Sequence, residues 1–321
     1  MIFSTQALHP LITERLRALG PYRVASAPTP TAILAEGTDA TILIVRANIP
    51  EAYFATAPAL RAAVRHGAGL DMIPVEAATA AGVLVANVPG ANAPTVAEHA
   101  IFAAIALRRQ FLHLNDTLRR DGWTAARTLA DKGLDLHGAT LGILGMGNIG
   151  QALHRIGAAF GMTTIATTRH PENLPHGVRA VDLDALAALS DVLVLCCPLT
   201  SETRGALSHA RIAMMRPGAV LINVARGPIV DTQALIAALR TRQILGAALD
   251  VFDHQPLPDN HPLYDLPNVI LTPHMAGITD DSMRRMGSVV ADEVARILDG
   301  ALPLNLCNPE ATAAYRRRFP V

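Results

Sequence analysis

Residues 145–150 read GMGNIG, a G-x-G-x-x-G pattern between the β-branched run TLGIL (140–144) and the helical stretch NIGQALHRIGAAFG. Chemistry follows from that spacing in that context. Gly145 permits a tight turn, Gly147 lets a phosphate approach the backbone, and Gly150 lets the helix pack closely on the strand. The helix N-terminus then offers free N–H groups and a favourable dipole to a dinucleotide pyrophosphate. The next strand, TTIAT (163–167), leads into Thr168, 18 residues past Gly150, and Arg169 and His170 follow. NAD binders place Asp or Glu here to accept from the ribose hydroxyls, and that acid repels a 2′-phosphate. Thr168 removes the repulsion, Arg169 can pair with the phosphate, and His170 adds a donor. The residues therefore predict NADP(H) as the preferred cofactor, with NAD(H) still accommodated.

Composition narrows the classes of function. The chain has 321 residues, 50% of them hydrophobic and 17% charged, enough for a large core and about two domains. Lys+Arg and Asp+Glu both total 27, so no net field favours nucleic acid or an anionic membrane. Cys196 and Cys197 are adjacent and Cys307 is distant. They form no CxxC pair and no metal spacing, and they read as small apolar residues in a reducing compartment. The start MIFSTQALHP lacks the pattern of a signal peptide, and no apolar run approaches membrane-spanning length. A cytoplasmic protein without a metal is the expectation.

The elements that must position these residues alternate along the chain. TILIV (41–45), RAAVRH (61–66) and VLVAN (83–87) read as buried strands, with helical stretches at 9–20 and 73–82. Beyond residue 140 the alternation sharpens, with strands at 140–145, 163–167, 191–196, 219–224, 245–251 and 268–272. Strands separated by helices of this length require parallel pairing with crossovers, hence α/β architecture with doubly wound sheets. Residues 94–123 form a long apolar helical stretch, expected to pack between domains or subunits, and a helix over 280–300 follows the last strand.

Polar residues cluster just past three of the expected strand ends, in INVARGPIVD (222–231), LDVFDHQPLPDNHPLY (249–264) and LTPHMAGIT (271–279). With GAGLDMIP (67–74), NVPGANAPTVAEHA (87–100) and CCPLTSETRGAL (196–207), these segments give the sequence a resemblance to the D-isomer-specific 2-hydroxyacid dehydrogenases over nearly its whole length. The look is nearest to the hydroxypyruvate and glyoxylate reductases. The resemblance implies a Rossmann cofactor domain at 95–276 inserted into a flavodoxin-like substrate domain built from 1–94 and 277–321, with the substrate in the cleft. It implies hydride transfer between the nicotinamide and C2 of a small 2-keto or D-2-hydroxy acid. Arg226 would grip the substrate carboxylate and polarise the keto oxygen, and His274 would pass the proton. Backbone N–H groups at Ala68 and Gly69 would hold the carboxylate, with Asn92 on the substrate side of the nicotinamide. Asn148 and Ile149 would sit on the pyrophosphate, Pro198 and Thr203 along the cofactor edge, and Asp250 at the carboxamide, with Val224 and Ala276 also lining the cofactor. The long helix after Asn92 would mediate a homodimer.

One position departs from the family pattern. A glutamate before proline normally bonds the histidine, and here DVFDHQP places Gln255 in its stead. Glutamine can orient the ring but brings no charge, so a lower pKa is expected for His274 than beside glutamate. The formate dehydrogenases of the family share this glutamine, which keeps formate oxidation open as an alternative. A catalytically silent dinucleotide sensor, like the related corepressors, is the other.

Overall fold

The computed structural model describes residues 1–320. Contacts within the chain group it into two compact units, Met1–Asn92 with Ile278–Val321, and Ala93–Gly277. The first unit opens with β1 (Ile2–Ser4), α1 (Pro10–Leu19), β2 (Tyr22–Val24), α2 (Pro30–Glu36), β3 (Ile42–Val45), α3 (Tyr53–Thr56), β4 (Ala62–Arg65), α4 (Val75–Ala80) and β5 (Leu84–Ala86). All five strands are parallel, in the order β2-β1-β3-β4-β5. Ile42, Leu43, Ile44 and Val45 are all fully buried because helices cover both faces, so this strand shows no polar alternation.

The second unit starts with three helices, α5 (Ala93–Arg108), α6 (Phe111–Asp121) and α7 (Trp123–Ala130). The long helix expected over 94–123 is thus broken, and Gln110 adopts a left-handed φ of 49° at the break. The α5 segment packs on its own unit, against the helix that follows the glycine turn and against three strands of the sheet. Its many alanines allow that close approach, and they explain why it is apolar all round. Next come β6 (Thr140–Leu144), α8 (Asn148–Ala159), β7 (Thr163–Thr167), β8 (Val178–Ala180), α9 (Leu183–Leu189), β9 (Val192–Leu195) and α10 (His209–Met214). They are followed by β10 (Val220–Asn223), α11 (Thr232–Arg240), β11 (Gly246–Leu249) and β12 (Val269–Leu271). The seven strands are parallel in the order β12-β11-β10-β9-β6-β7-β8, a doubly wound sheet whose order reverses beside β6. The chain returns to the first unit through α12 (Asp280–Leu298), capped by Thr279, and α13 (Thr312–Arg318).

Three short strands escape the periodicity reading. β1 is three residues long and wholly buried, β2 is equally short, and β8 is a largely exposed edge. None is long enough to show a period of two.

Candidate active site

The glycine turn sits where β6 meets α8, at the reversal point of the second sheet, and it has the packing its glycines imply. Gly145 has φ 100°, and a side chain there would lie 2.8 Å from the Cys197 backbone. At Gly150 a Cβ would fall 2.3 Å from the Gly145 carbonyl oxygen, so only glycine lets α8 start so close to the turn. By contrast the space at Gly147 is open, as a bound phosphate requires. No side chain caps α8, which leaves the N–H groups of exposed Asn148 and half-buried Ile149 at the helix start for an anion. The residues present therefore suit a dinucleotide. Cys196 strengthens the turn by donating its thiol hydrogen to the Gly145 carbonyl at 3.0 Å. Burial pushes both adjacent thiols up, Cys197 to about 11, so they remain protonated at neutral pH.

An open cleft of about 1280 Å³ lies over this turn. It gathers Gly145 and Gly147 with Thr168, Arg169 and His170 from the end of β7, and with Pro198 and Thr203 from the loop after β9. The Thr203 hydroxyl donates to the Pro198 carbonyl at 2.7 Å and accepts from the Thr200 N–H at 2.8 Å, so the loop is held by its own side chains. Thr168 accepts from the His170 N–H at 3.4 Å, and Arg169 is exposed. The motif reading overlooked Glu172, whose carboxylate lies 3.2 Å from His170 Nδ1. That leaves the other ring nitrogen of His170 for a ligand.

The remaining polar segments emerge side by side. Asn223, Leu249 and Leu271 are in register on β10, β11 and β12, and each is the last residue of its strand. Arg226 follows the first by three residues and His274 follows the third by three. Buried Asn223 shapes the arginine turn by donating to the Arg226 carbonyl at 2.9 Å and accepting from the Ala225 N–H at 3.0 Å. Gly227 then passes against Phe252, where a Cβ would come within 2.1 Å. Val224 is tied to β9 through its N–H and the Leu195 carbonyl at 3.2 Å.

His274 sits on a strained turn, with a left-handed φ of 55°. The clamp is Asp250, only 3% exposed. Its carboxylate accepts from Thr272 Oγ1 at 2.6 Å, the Met275 N–H at 2.8 Å and the Ala276 N–H at 2.9 Å. The His274 N–H donates to the Asp250 carbonyl at 3.0 Å. Asp250 thus builds the turn that presents the histidine, a task invisible in the motif. Burial lowers the His99 imidazole against the opposing attraction of the Asp250 carboxylate.

Gln255 reaches the ring. Its Oε1 lies 3.0 Å from His274 Nδ1. Asp253 is engaged elsewhere, accepting from Thr232 Oγ1 at 2.6 Å. A cavity of about 990 Å³ adjoins His274 and Gln255, with Phe252, Leu257 and Tyr264 among its walls.

In the first unit, the loop after β4 turns its carbonyls inward. Ala68 O accepts from Asn87 Nδ2 at 2.7 Å and Gly69 O from Arg65 Nε at 3.1 Å. The N–H groups of Ala68 and Gly69 make no hydrogen bond among the described residues. Nearby His66 is buried, and burial with Arg46 and Arg65 lowers its imidazole to about 4, so it is neutral. Asn92 closes this unit, half-buried, next to Ala91, whose carbonyl accepts from Arg285 at 3.1 Å. No His, Cys, Asp or Glu cluster among the described residues could hold a metal, and no described helix is long and apolar enough to cross a membrane.

A glycine turn at the reversal of a parallel sheet, with arginine and histidine beyond neighbouring strand ends, defines a dinucleotide-dependent oxidoreductase. Comparison narrows the class: residues 101–276 match the D-isomer specific 2-hydroxyacid dehydrogenase NAD binding domain, and the chain belongs to that family. It is 37% identical over 292 residues to a glyoxylate reductase of Aeropyrum pernix, covering 89% of this chain and 87% of that one. It is 36% identical over 313 residues to D-3-phosphoglycerate dehydrogenase of Methanocaldococcus jannaschii, which covers 96% of this chain but only 59% of that longer protein. A crystal structure of an NADPH-dependent glyoxylate/hydroxypyruvate reductase from Sinorhizobium meliloti, with NADP and malonate, superposes with a TM-score of 0.83. The two are 29% identical, with 97% of each chain covered.

Proposed function

We propose that the protein is an NADP(H)-preferring reductase of small 2-ketoacids of the glyoxylate and hydroxypyruvate type, forming the D-2-hydroxy acid where the product is chiral. The observation that carries the cofactor choice is the cleft over the glycine turn, where Thr168 and exposed Arg169 stand in the place of an acid. Arg169 pairs with a 2′-phosphate, with His170 as a second donor. The bound nicotinamide supplies or accepts the hydride. Arg226 binds the substrate carboxylate and polarises the keto oxygen, His274 gives the oxygen its proton, and Gln255 holds the ring through Nδ1. The free N–H groups of Ala68 and Gly69 are further carboxylate donors. In this reading Asn92 would lie on the substrate side of the nicotinamide, and Asp250 would accept from the carboxamide.

The test is a ketoacid panel with NADPH and with NADH, together with formate and either oxidised cofactor. Turnover of glyoxylate or hydroxypyruvate, faster with NADPH, is expected. Formate oxidation alone would replace this reading with the formate dehydrogenase one, and tight NADPH binding without turnover would make the protein a sensor.

The protein is also proposed to be a homodimer. Phe102 at 55% and Trp123 at 73% exposure, with exposed Phe111, Leu112 and Leu118, form an apolar surface on α5, α6 and α7. Light scattering should give twice the chain mass of 33.9 kDa, and a monomer at micromolar concentration would exclude it.

A further inference from the structure

We propose that Asn87 is a positioning residue that aims the N–H groups of the loop after β4 at a substrate carboxylate. This rests on the reading above, in which the Ala68 and Gly69 N–H groups hold that carboxylate. In a planar trans peptide the carbonyl and the N–H point in opposite directions, so fixing one aims the other. Two consecutive carbonyls of this loop are fixed from the same place, the two residues that follow β5. Gly67 O accepts from the Val88 N–H at 2.9 Å, and Ala68 O accepts from Asn87 Nδ2 at 2.7 Å. The first bond aims the Ala68 N–H away from residues 87 and 88, and the second aims the Gly69 N–H the same way. Gly67 can take part because its φ of 143° suits a residue without a side chain. Neither N–H makes a hydrogen bond among the described residues, as a donor pair kept for an anion requires.

Asn87 is itself held by the returning chain. Leu306 bridges Ala86 in antiparallel fashion, and the Cys307 N–H donates to the Val85 carbonyl at 2.7 Å. The Asn87 N–H donates to the Asn305 carbonyl at 3.4 Å. Buried Glu293 of α12 anchors this segment by accepting from the N–H groups of Leu304 at 3.0 Å and Asn305 at 3.2 Å. The amide nitrogen of Asn87 must face Ala68, because a carbonyl oxygen only accepts. Without that donor the 68–69 peptide is free to rotate, whereas the Val88 bond is made by the main chain and does not depend on the side chain at 87.

The experiment measures kcat, the KM for glyoxylate and for NADPH, and the inhibition constant of glycolate, the product, which keeps the carboxylate but has no aldehyde. Asn87→Asp keeps the shape, loses the donor and sets an acceptor against the Ala68 carbonyl, while Asn87→Ala only removes the donor. The glyoxylate KM and the glycolate constant should rise together, about fivefold in Asn87→Ala for the loss of one hydrogen bond and further in Asn87→Asp. The KM for NADPH and kcat should stay within about twofold of the parent, the pattern of lost carboxylate binding alone. Both carboxylate constants within about twofold of the parent in Asn87→Asp overturn the inference. So does an NADPH KM that rises by the same factor as the glyoxylate KM, because the loss is then not confined to the carboxylate. If Asn87→Asp fails to fold, Asn87→Ala is judged by the same criteria. Either overturning result, with the parent turning over glyoxylate, leaves the ketoacid reading standing. A parent without glyoxylate turnover removes that reading and this inference together.

Discussion

Replacing Asp250 with asparagine should disarm His274, the proposed proton donor, without touching the glycine turn. The carboxylate is 3% exposed and accepts three hydrogen bonds from the segment around His274. Asparagine can keep its oxygen toward Thr272 and Met275, but it then turns an NH2 group toward the Ala276 N–H, donor against donor. Losing one charge-assisted bond to a buried group costs about 1.5–3 kcal/mol. The left-handed φ of 55° at His274 is itself worth roughly 1–2 kcal/mol of strain for a residue with a side chain. The lost bond is as large as the strain it offsets, so the turn relaxes and His274 spends most of its time elsewhere. We expect kcat for glyoxylate with NADPH to fall about 10- to 100-fold by the usual conversion of 1.4 kcal/mol per decade. The assay is steady-state kinetics in a cycle with His274→Ala. If Asp250 acts through the histidine, Asp250→Asn should add little once His274 is gone. A kcat within twofold of the parent would refute the clamp. A change confined to the KM for NADPH would assign Asp250 to the nicotinamide instead.

Two further outcomes follow from contacts in the second unit. Gln255→Glu places a carboxylate against His274 Nδ1 and raises the ring's pKa. Ketoacid reduction needs the imidazolium, which is present below that pKa and lost as pH rises through it, so the basic limb of the rate profile should move up by about one unit; an unmoved limb contradicts the role given to Gln255. Arg169→Ala should raise the KM for NADPH about tenfold, the low end of a charge-assisted bond for an exposed side chain, and leave NADH nearly unchanged. Equal shifts with both cofactors would mean that Arg169 only shapes the loop.

Much of the fold was legible because the chemistry of a doubly wound sheet leaves a coarse signature. Runs such as DVLVLC and AVLINV become β9 and β10 with every residue buried, so the apolar run itself is the signal. The break between α5 and α6 was not legible. Gln110 carries no glycine or proline marker, and its left-handed conformation is not one its residue type announces. The short strands β1 and β8 fail for a similar reason: three residues cannot display a period, and only their parallel neighbours hold them in place.

The site divides along the same line. Residues that a motif displays, such as Gly145, Gly150 and His274, stand at fixed spacings that can be read from the sequence. Residues that act through another side chain are harder to read, because the sequence does not say which way a side chain turns. Glu172 lies only two residues beyond His170, yet nothing in TTRHPE says that its carboxylate turns back to the ring. That contact bears on cofactor choice. The exposed carboxylate at 3.2 Å orients the His170 ring as a donor toward a 2′-phosphate, while its own charge opposes the same phosphate. Both effects are screened at 63–67% exposure, so neither outweighs the direct charge of Arg169. The proposed preference for NADP(H) thus rests on the missing acid and the arginine, and His170 with Glu172 only trims it.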